Sequence, residues 1–331
     1  MKYFVTGATG FIGGYLAQRL MNDGHEVVAL VRTPAKAQAL ADMGVIIAQG
    51  DITDKASMRE PMTGVDGVFH VAAWYKVGMK DSSMAQTINV EGTRNVLELI
   101  KELGVPKGVY TSTLAVFSDT KGERKDEKYK FNGKHISEYD RTKWEAHYRV
   151  AQPMMESGLP LVIVQPGAVY GPGDQSELGN TTAQYLQRKL PVVPLGMAVC
   201  WAHVEDVVEG HILAMEKGKV GESYIIAGPP HTLVEYFELA EQITGIPVPR
   251  LKVPAAMLKA SAALMGVIGN LVEVPATYTA EGLRVSAGVT YLGDNSKAKR
   301  ELGYNPRSLE AGLPEILAYE MERLGIRPEA K

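Results

Sequence analysis

The sequence is poor in cysteine, in long apolar runs and in excess charge. Cys200 is the single cysteine, so no disulfide can form within the chain. The net charge of −3 shows no basic surplus and therefore gives no indication of a nucleic-acid partner. The longest apolar stretch, residues 260–272, is shorter than the roughly 20 residues that cross a bilayer, so it predicts a packed helix and no membrane span.

What the chain does contain is enough apolar material for a large core. Its 331 residues are 45% hydrophobic and 22% charged, which predicts a globular protein of one large or two modest domains. Met1 leads directly into an apolar strand pattern, without the basic and apolar segments of a secretion signal. Together with the lone cysteine, this pattern predicts a cytoplasmic protein.

Strand and helix patterns alternate through the first half of the chain. Such alternation predicts parallel strands joined by crossover helices, and hence an α/β fold with a Rossmann-type doubly wound sheet. The predicted strands are Tyr3–Thr6, Val27–Val31, Val45–Ala48, Gly67–Val71, Gly108–Ser112 and Leu161–Val164. The predicted helices are Phe11–Met21, Ala35–Met43, Lys55–Met62, Met84–Leu103 and Glu138–Met155.

The second half of the chain is less regular and rich in proline and glycine. The stretch "HVEDVVEGHILAMEKGKVGESYIIAG" is again helix then strand, so we expect the chain to return there to the main sheet. We therefore predict a discontinuous nucleotide-binding domain of residues 1–173 and 202–228. A smaller C-terminal substrate-binding lobe is predicted from residues 174–201 and 229–331.

The opening stretch "MKYFVTGATGFIGGYL" places Gly7, Gly10 and Gly13 in the pattern G-x-x-G-x-x-G, between an apolar strand and a helix. In that context one glycine allows a positive φ, one lets the backbone approach a pyrophosphate, and one lets helix and strand pack closely. The helix N-terminus adds partial positive charge. We predict a dinucleotide site here that includes Thr9, Phe11 and Ile12. The alternative is a tight turn that binds nothing.

The end of the second predicted strand indicates which dinucleotide binds. An NAD site usually has a carboxylate there for the adenosine ribose, whereas this chain has Val31 and Arg32. Arg32 can pair bidentately with a 2′-phosphate, and Lys36, four residues on, could add a second charge. We therefore predict NADP(H) in preference to NAD(H). The alternative is that Arg32 is an ordinary solvated loop arginine.

A second motif, "YDRTK", puts Tyr139 and Lys143 one turn apart on one face of a helix, downstream of strand-end hydroxyls in "VYTSTLAVF". With these marks the chain resembles the extended short-chain dehydrogenase/reductase family, also called the NAD-dependent epimerase/dehydratase family. Matching stretches run along nearly the whole chain: "TGATGFIG", "GDITD", "VFHVAA", "NVEGTRNVLE", "TST", "YDRTK", "QPGAVYGPGD", "HVEDVV" and "NSKAKRELGYNP".

The resemblance implies three catalytic residues. Tyr139 would be the general acid in carbonyl reduction, or the base in alcohol oxidation. Lys143 would favour the phenolate of Tyr139 by its charge and hold the nicotinamide ribose. Thr113 would hydrogen-bond the substrate oxygen, with Ser112 as the second choice.

The resemblance also implies further cofactor contacts. Asp51 and Ile52 would border the adenine, Ala72 and Ala73 would lie along the cofactor, and Pro166 and Gly167 would lie by the nicotinamide. The alternatives are that Asp51 caps a turn, that the alanines are small core residues, and that Pro-Gly is a turn. Asn89 would bond the backbone and fix the site.

The branch of the family is indicated by residues beside the catalytic ones. The dehydratases of the family share an acidic pair of residues just after the strand-end threonine. This chain has Leu114 at that place and no acidic residue. Many nucleotide-sugar enzymes have an asparagine where this chain has Ala168. These differences, with Arg32, make the chain similar to dihydroflavonol reductases and related aldehyde or ketone reductases. A nucleotide-sugar epimerase and an inactive NADP-binding regulatory or scaffold protein remain as alternatives.

The substrate pocket and partners are predicted more loosely. Pocket candidates are Trp74, Tyr75, Lys76, Cys200, Trp201 and His203, a largely aromatic set that suits an apolar or aromatic carbonyl compound. No third ligand stands at metal spacing from Cys200 and His203, so no metal is expected. The family often dimerises through two helices, which here would be residues 84–103 and 138–155, so the resemblance implies a homodimer.

Overall fold

The computed structural model describes residues 1–79, 81–268 and 274–327. The strands in these ranges are β1 (Lys2–Thr6), β2 (Glu26–Val31), β3 (Ile46–Gln49), β4 (Gly67–His70), β5 (Gly108–Thr111), β6 (Leu161–Pro166), β7 (Ala168–Tyr170), β8 (Val193–Pro194), β9 (Ala198–His203), β10 (Ser223–Ile226), β11 (Pro230–Thr232), β12 (Lys252–Val253) and β13 (Thr290–Tyr291). No helix of these ranges is long and apolar enough to cross a membrane.

The α-helices of the described ranges are α1 (Phe11–Asn22), α2 (Gln38–Asp42), α3 (Lys55–Met62), α4 (Ser83–Gln86), α5 (Thr93–Glu102), α6 (Glu138–Glu145), α7 (Gln152–Glu156), α8 (Glu177–Leu186), α9 (Val204–Glu216), α10 (Leu233–Thr244), α11 (Ala255–Ile268), α12 (Ala280–Ser286), α13 (Ser296–Leu302) and α14 (Leu309–Leu324). The predicted apolar helix at residues 260–272 corresponds in part to α11, and its last residues lie outside the described ranges.

A parallel sheet of seven strands forms the centre of the molecule, in the order β10-β6-β5-β4-β1-β2-β3. Strand β10 pairs with β6, so the chain does return to this sheet after α9, as its helix-then-strand pattern predicted. The strand order reverses between β1 and β4, which is where ligands bind in open α/β sheets.

Helices cover both faces of the central sheet, because successive side chains of each strand point to opposite faces. Val5 of β1 packs with Leu16 of α1 and Val207 of α9 in one buried cluster. Its neighbour Phe4 packs on the other face with Leu97 of α5. The doubly wound α/β fold predicted from the sequence is therefore confirmed.

Two helices beside the sheet contain a π-helical segment. The helix over residues 83–102 has π geometry at Thr87–Gly92, and the helix over residues 138–156 has it at Ala146–Ala151. Both helices were predicted within two residues of their ends, but as regular α-helices. A π turn accommodates one extra residue, and a 3.6-residue apolar pattern does not reveal it over so short a stretch.

A second, smaller sheet lies beyond the end of β6. Strand β9 pairs with β7 and β13 in parallel and with β11 antiparallel, while β8 and β12 form a separate pair. The sequence did not indicate these short strands, because their partners come from distant parts of the chain. The division into two domains at residues 173 and 201 stays a prediction.

Candidate active site

A cavity of about 1330 Å³ runs along the carboxyl ends of the central strands and continues under the second sheet. Every predicted cofactor or catalytic residue lines it except Lys36. The lining residues that were predicted are Gly7, Thr9, Gly10, Phe11, Ile12, Gly13, Arg32, Asp51, Ile52, Ala72, Ala73, Thr113, Tyr139, Lys143, Pro166 and Gly167. The fold therefore brings residues from distant parts of the sequence together around one space.

The glycine turn has the geometry that each of its glycines makes possible. Gly7 has φ of +76°, and a Cβ there would lie 2.7 Å from the backbone N of Ala72. A Cβ on Gly13 would lie 2.1 Å from the carbonyl oxygen of Gly7, so α1 can approach the turn only without a side chain there. At Gly10, which caps α1, the nearest atom to such a Cβ is at 3.2 Å.

This turn fits a diphosphate. The first turn of α1 contains no acidic residue, so the positive end of the helix faces the cavity without an opposing charge. Backbone and small side chains form the wall, which leaves the N–H groups accessible to phosphate oxygens. The residues present are thus compatible with the dinucleotide that the sequence predicts.

Arg32 and Lys36 differ in position. Arg32 is exposed and lines the cavity after β2, and no hydrogen bond or ion pair of the described residues involves it. Lys36 lies in a 3₁₀ turn, Pro34–Ala37, and does not line the cavity. The expectation that both would reach one phosphate is not supported, because Arg32 precedes the turn and no helix face joins the two residues.

The adenine-side residues carry structural contacts as well. Asp51 Oδ1 accepts hydrogen bonds from the backbone N and the hydroxyl of Thr53, both at 2.8 Å, so Asp51 does cap a turn while it lines the cavity.

A Cβ on Gly167 would lie 2.0 Å from the carbonyl oxygen of Cys200. Gly167 is therefore required by the parallel pairing of β7 with β9, whatever else it contacts.

The catalytic hydroxyls lie at the end of β5 and the start of α6. Ser137 caps α6 by accepting from the backbone N of Asp140 at 3.0 Å, which fixes the turn that carries Tyr139. The hydroxyl of Thr113 hydrogen-bonds the phenol of Tyr139. Ser112 instead bonds Nδ1 of His147 at 2.8 Å within the core. The geometry thus favours Thr113 over Ser112 as the hydroxyl of the site.

Lys143 is buried behind Tyr139. Its Nζ donates to the phenol oxygen of Tyr110 at 3.2 Å and to the carbonyl oxygen of Thr111 at 2.8 Å. Burial lowers the pKa of Lys143 to about 7 and raises the pKa of Tyr139 well above its ordinary value. No hydrogen bond of the described residues joins Lys143 to Tyr139, and burial is the largest cause of the raised pKa of Tyr139. The effect of the Lys143 charge on this phenol stays a prediction.

The predicted pocket residues divide into two groups. Tyr75, Lys76 and Trp201 line the cavity, and the ring of Tyr75 packs edge-on against Tyr139 with centroids 4.9 Å apart. Trp74 does not line it. The backbone N and O of Trp74 hydrogen-bond the side chain of Asn89. Asn89 therefore has the backbone-fixing contact that was expected of it.

Cys200 and His203 also lie outside the cavity wall. The Sγ of Cys200 accepts from the backbone N of Gly293 at 3.4 Å, and burial raises the pKa of the thiol. His203 caps α9. Both side chains are buried because β9 is the central strand of the second sheet. The described residues contain no group of three potential metal ligands.

The sequence analysis missed Asp140, which lies beside Tyr139 and lines the cavity at 2% exposure. Its Oδ1 accepts from the hydroxyl of Ser137 at 2.7 Å, and its Oδ2 accepts from the phenol of Tyr291 at 3.0 Å. Burial raises the pKa of Asp140 to about 7. The Ser-x-x-Asp spacing before the helix was the signal that could have revealed its capping contact.

The fold and the site together define a class of protein. A Rossmann-type sheet, a glycine turn against its switch point and a buried tyrosine, lysine and threonine around one cavity are the features of an NAD(P)-dependent oxidoreductase of the short-chain dehydrogenase/reductase type.

Comparison with known proteins assigns the family. The family model "NAD dependent epimerase/dehydratase family" matches residues 3–227. A putative dihydroflavonol 4-reductase of Synechocystis sp. is 32% identical, over 95% of this chain and 93% of that protein. Sterol demethylase protein B of Methylococcus capsulatus is 30% identical, over 98% and 99%. The crystal structure of gox2253 aligns with a TM-score of 0.86 at 31% identity, over 98% and 99% of the two chains. The chain belongs to the NAD-dependent epimerase/dehydratase family, within the extended short-chain dehydrogenases/reductases.

Proposed function

We propose that the protein is an NADP(H)-dependent reductase of an aldehyde or ketone. The observation that supports this most is the grouping of Thr113, Tyr139 and Lys143 in the wall of the cavity that also contains the glycine turn and Arg32. The named reductase among its relatives supports the same direction of reaction.

The bound NADPH would supply the hydride. The phenol of Tyr139 donates its proton to the carbonyl oxygen as negative charge develops there, and the hydroxyl of Thr113 hydrogen-bonds the same oxygen. The phenol of Tyr139 is protonated at neutral pH, and the pKa rise caused by burial makes it a weaker acid, which the charge of Lys143 would offset. An ammonium has three N–H groups, and Thr111 and Tyr110 accept from two of those of Lys143. The third is available to the ribose.

NADP(H) in preference to NAD(H) is supported by the absence of a carboxylate next to Arg32. The cavity wall at the end of β2 consists of Leu30, Val31 and Arg32, which offer no acceptor side chain for ribose hydroxyls. The guanidinium of Arg32 is exposed there and can form a bidentate pair with a 2′-phosphate.

The proposed substrate is apolar or aromatic. Tyr75, Met197, Val199 and Val285 line the part of the cavity near the second sheet. Ala168 also lines it, and a methyl group cannot hydrogen-bond a nucleotide diphosphate as an asparagine would. A nucleotide-sugar epimerase is therefore less well supported. The relative named as a sterol demethylase protein fits an apolar substrate better than a sugar nucleotide.

The test is NADPH and NADH oxidation with a panel of aromatic and aliphatic aldehydes and ketones. We expect higher kcat/KM with NADPH and a loss of about 10³-fold in kcat for Tyr139→Phe. Tyr148→Phe is the control, since its phenol is also buried but donates to the carbonyl of Tyr129 away from the site. Nucleotide binding without turnover of any carbonyl compound would favour the scaffold alternative.

We also propose a homodimer through the helices over residues 83–102 and 138–156, and a cytoplasmic location. Met84 is 49% exposed at the start of the first of these helices, which leaves an apolar side chain available to a second copy. Analytical ultracentrifugation of wild type and Met84→Glu tests the proposal. A wild-type protein that sediments as a monomer at micromolar concentration contradicts it.

A further inference from the structure

Lys143 is a buried amine that donates its hydrogen bonds to uncharged acceptors. It is 2% exposed, and its Nζ donates to the phenol oxygen of Tyr110 and the carbonyl oxygen of Thr111. The titratable groups that face it include His70 from β4 and His147 from the π-helical segment. Burial lowers the pKa of each of these histidines to about 3, so both are neutral.

Tyr110 is itself fixed within the core. Its ring is fully buried and stacks on the ring of His70, with centroids 5.4 Å apart and planes at 19°. Its phenol hydrogen-bonds Thr93. Nζ of Lys143 lies 4.8 Å from the centroid of the same ring, so Tyr110 contacts the amine through both its oxygen and its π face.

A chain of side-chain hydrogen bonds leads from Tyr110 to the nucleotide end of the cavity. Thr6 Oγ1 accepts from the backbone N of Val71 and of Ala72, each at 3.1 Å. Its own hydrogen is therefore donated to Nδ1 of His70 at 2.8 Å. Neutral His70 then carries its proton on Nε2 and donates it to Thr93 Oγ1 at 3.0 Å. Donor and acceptor counting thus determines the tautomer of His70.

This chain links two parts of the site. Ala72 lies against Gly7 of the glycine turn, where a Cβ would be 2.7 Å from its backbone N. At the other end, Tyr110 contacts Lys143. Thr6, His70, Thr93 and Tyr110 are all at most 1% exposed, so water does not compete for these bonds.

We propose that Tyr110 is a positioning residue, which keeps Lys143 protonated and directs its remaining N–H into the cavity, and that the Thr6–His70–Thr93 chain holds Tyr110 in register with the glycine turn. The proposal rests on the proposed function and deepens it, because it says which residue keeps the Lys143 amine of that site charged and oriented. Without the Tyr110 oxygen, the ammonium keeps only the Thr111 carbonyl as an acceptor. Its charged form then becomes less stable, and the pKa of Lys143 falls further.

The test measures the pKa of Lys143 directly, in protein without added nucleotide. Lysine labelled with ¹³C at Cε and ¹⁵N at Nζ is titrated by NMR, and Lys143→Met assigns the signal. We expect Tyr110→Phe to lower the pKa by about one pH unit or more, a tenfold lower proton affinity. Thr93→Val should shift it the same way by about half a unit, and Thr93→Ser should restore the wild-type value.

Tyr236→Phe is the matched control. Tyr236 is also fully buried and bonds the hydroxyl of Thr182 at 2.9 Å, but it lies in the second lobe, so its loss should leave Lys143 unchanged. The proposal is overturned if Tyr110→Phe folds and the pKa of its Lys143 equals that of the wild type. If that variant does not fold, identical titrations of Thr93→Val and wild type overturn it instead. Because no nucleotide or substrate is used, this result is independent of whether the protein reduces carbonyl compounds.

As a second measurement, the Kd for NADPH is compared at pH 6 and pH 8 by calorimetry. A neutral Lys143 offers a weaker hydrogen bond to the cofactor, so binding should weaken more between these pH values in Tyr110→Phe than in wild type or Tyr236→Phe. Equal weakening in all three proteins contradicts the role of Tyr110 in keeping Lys143 charged.

Discussion

The two ends of the cavity are built from different materials. At the nucleotide end the wall is mainly backbone and small residues, such as Gly7, Gly13 and Ala72, and an added methyl group would collide with main-chain atoms. At the substrate end, side chains such as Met197 and Val285 line the wall, and they come from a loop and a helix far apart in sequence. We therefore expect the first end to tolerate almost no change and the second to tolerate many.

The largest expected effect is at the nucleotide end. Gly13→Ala places a Cβ 2.1 Å from the carbonyl oxygen of Gly7, so helix α1 must move away from the turn. We expect a loss of about 3 kcal/mol in the free energy of unfolding, measured by urea denaturation. Gly14→Ala is the control, because its Cβ would meet only the oxygen of Ala8 at 3.4 Å, and alanine favours a helix. Equal losses in both variants would contradict the comparison.

Next in size is a pH effect at the substrate end. The pKa of Asp140 is raised to about 7 by burial, so the folded protein retains a proton there that the unfolded chain has released. Stability from this group is present at low pH and is lost as the pH rises towards 7. Asp140→Asn should therefore gain roughly 2 kcal/mol relative to wild type between pH 5 and pH 7. Thermal or urea unfolding at both pH values measures this.

The control for that experiment is Asp81→Asn, since Asp81 is an exposed carboxylate that accepts hydrogen bonds from the backbone and the side chain of Ser83. Its difference from wild type should be nearly constant over the same pH range. A constant difference for Asp140→Asn as well would mean that its carboxyl has an ordinary pKa.

At the nucleotide end, the side chain of Arg32 is expected to determine the preference for NADPH over NADH. Arg32→Ser should lower kcat/KM with NADPH about 20-fold and leave NADH nearly unchanged, because a charged hydrogen-bond pair contributes about 1.5–3 kcal/mol. Lys36→Ser is the matched control and should change either value less than about threefold, since Lys36 does not line the cavity. A larger loss with Lys36→Ser would place Lys36 at the phosphate after all.

The smallest expected effect is on stability at the substrate end. Val285 is half-buried in α12 and lines the cavity, so Val285→Ala should cost less than about 1 kcal/mol. The ratio of kcat/KM between a bulky and a small aromatic ketone should nevertheless change about 3- to 10-fold, because one or two carbon atoms of pocket volume are worth that much. An unchanged ratio would place the substrate elsewhere in the cavity.

The same contrast explains what the sequence could predict. The turn around Gly7 was predictable because its backbone conformation restricts which residues can stand there. Thr113 and Tyr139 could be located because the stretches "TST" and "YDRTK" resemble those of the family. Asp140 and its partner Tyr291 could not be paired, since 151 residues separate them and only the second sheet brings them together.

The predicted residues Lys36, Cys200 and His203 do not line the cavity. Lys36 was grouped with Arg32 by helical spacing, but the chain forms a 3₁₀ turn there and the spacing does not apply. Cys200 was placed in the pocket because it lies beside Trp201, but successive residues of β9 face opposite sides of its sheet. His203 lies on the same face as Trp201, at the end of β9, where its side chain caps α9. For Lys36 and Cys200, the direction of the side chain is set by the local backbone conformation. That conformation depends on contacts with residues that are distant in sequence.

The contact of Gly167 with the carbonyl of Cys200 constrains how the molecule can move. Only this glycine separates β6 from β7, and β7 pairs at once with β9, so the two sheets share an anchored junction directly below the reacting atoms. A side chain at residue 167 would separate β7 from β9, so the relative position of the two sheets depends on the absence of a Cβ at this one residue.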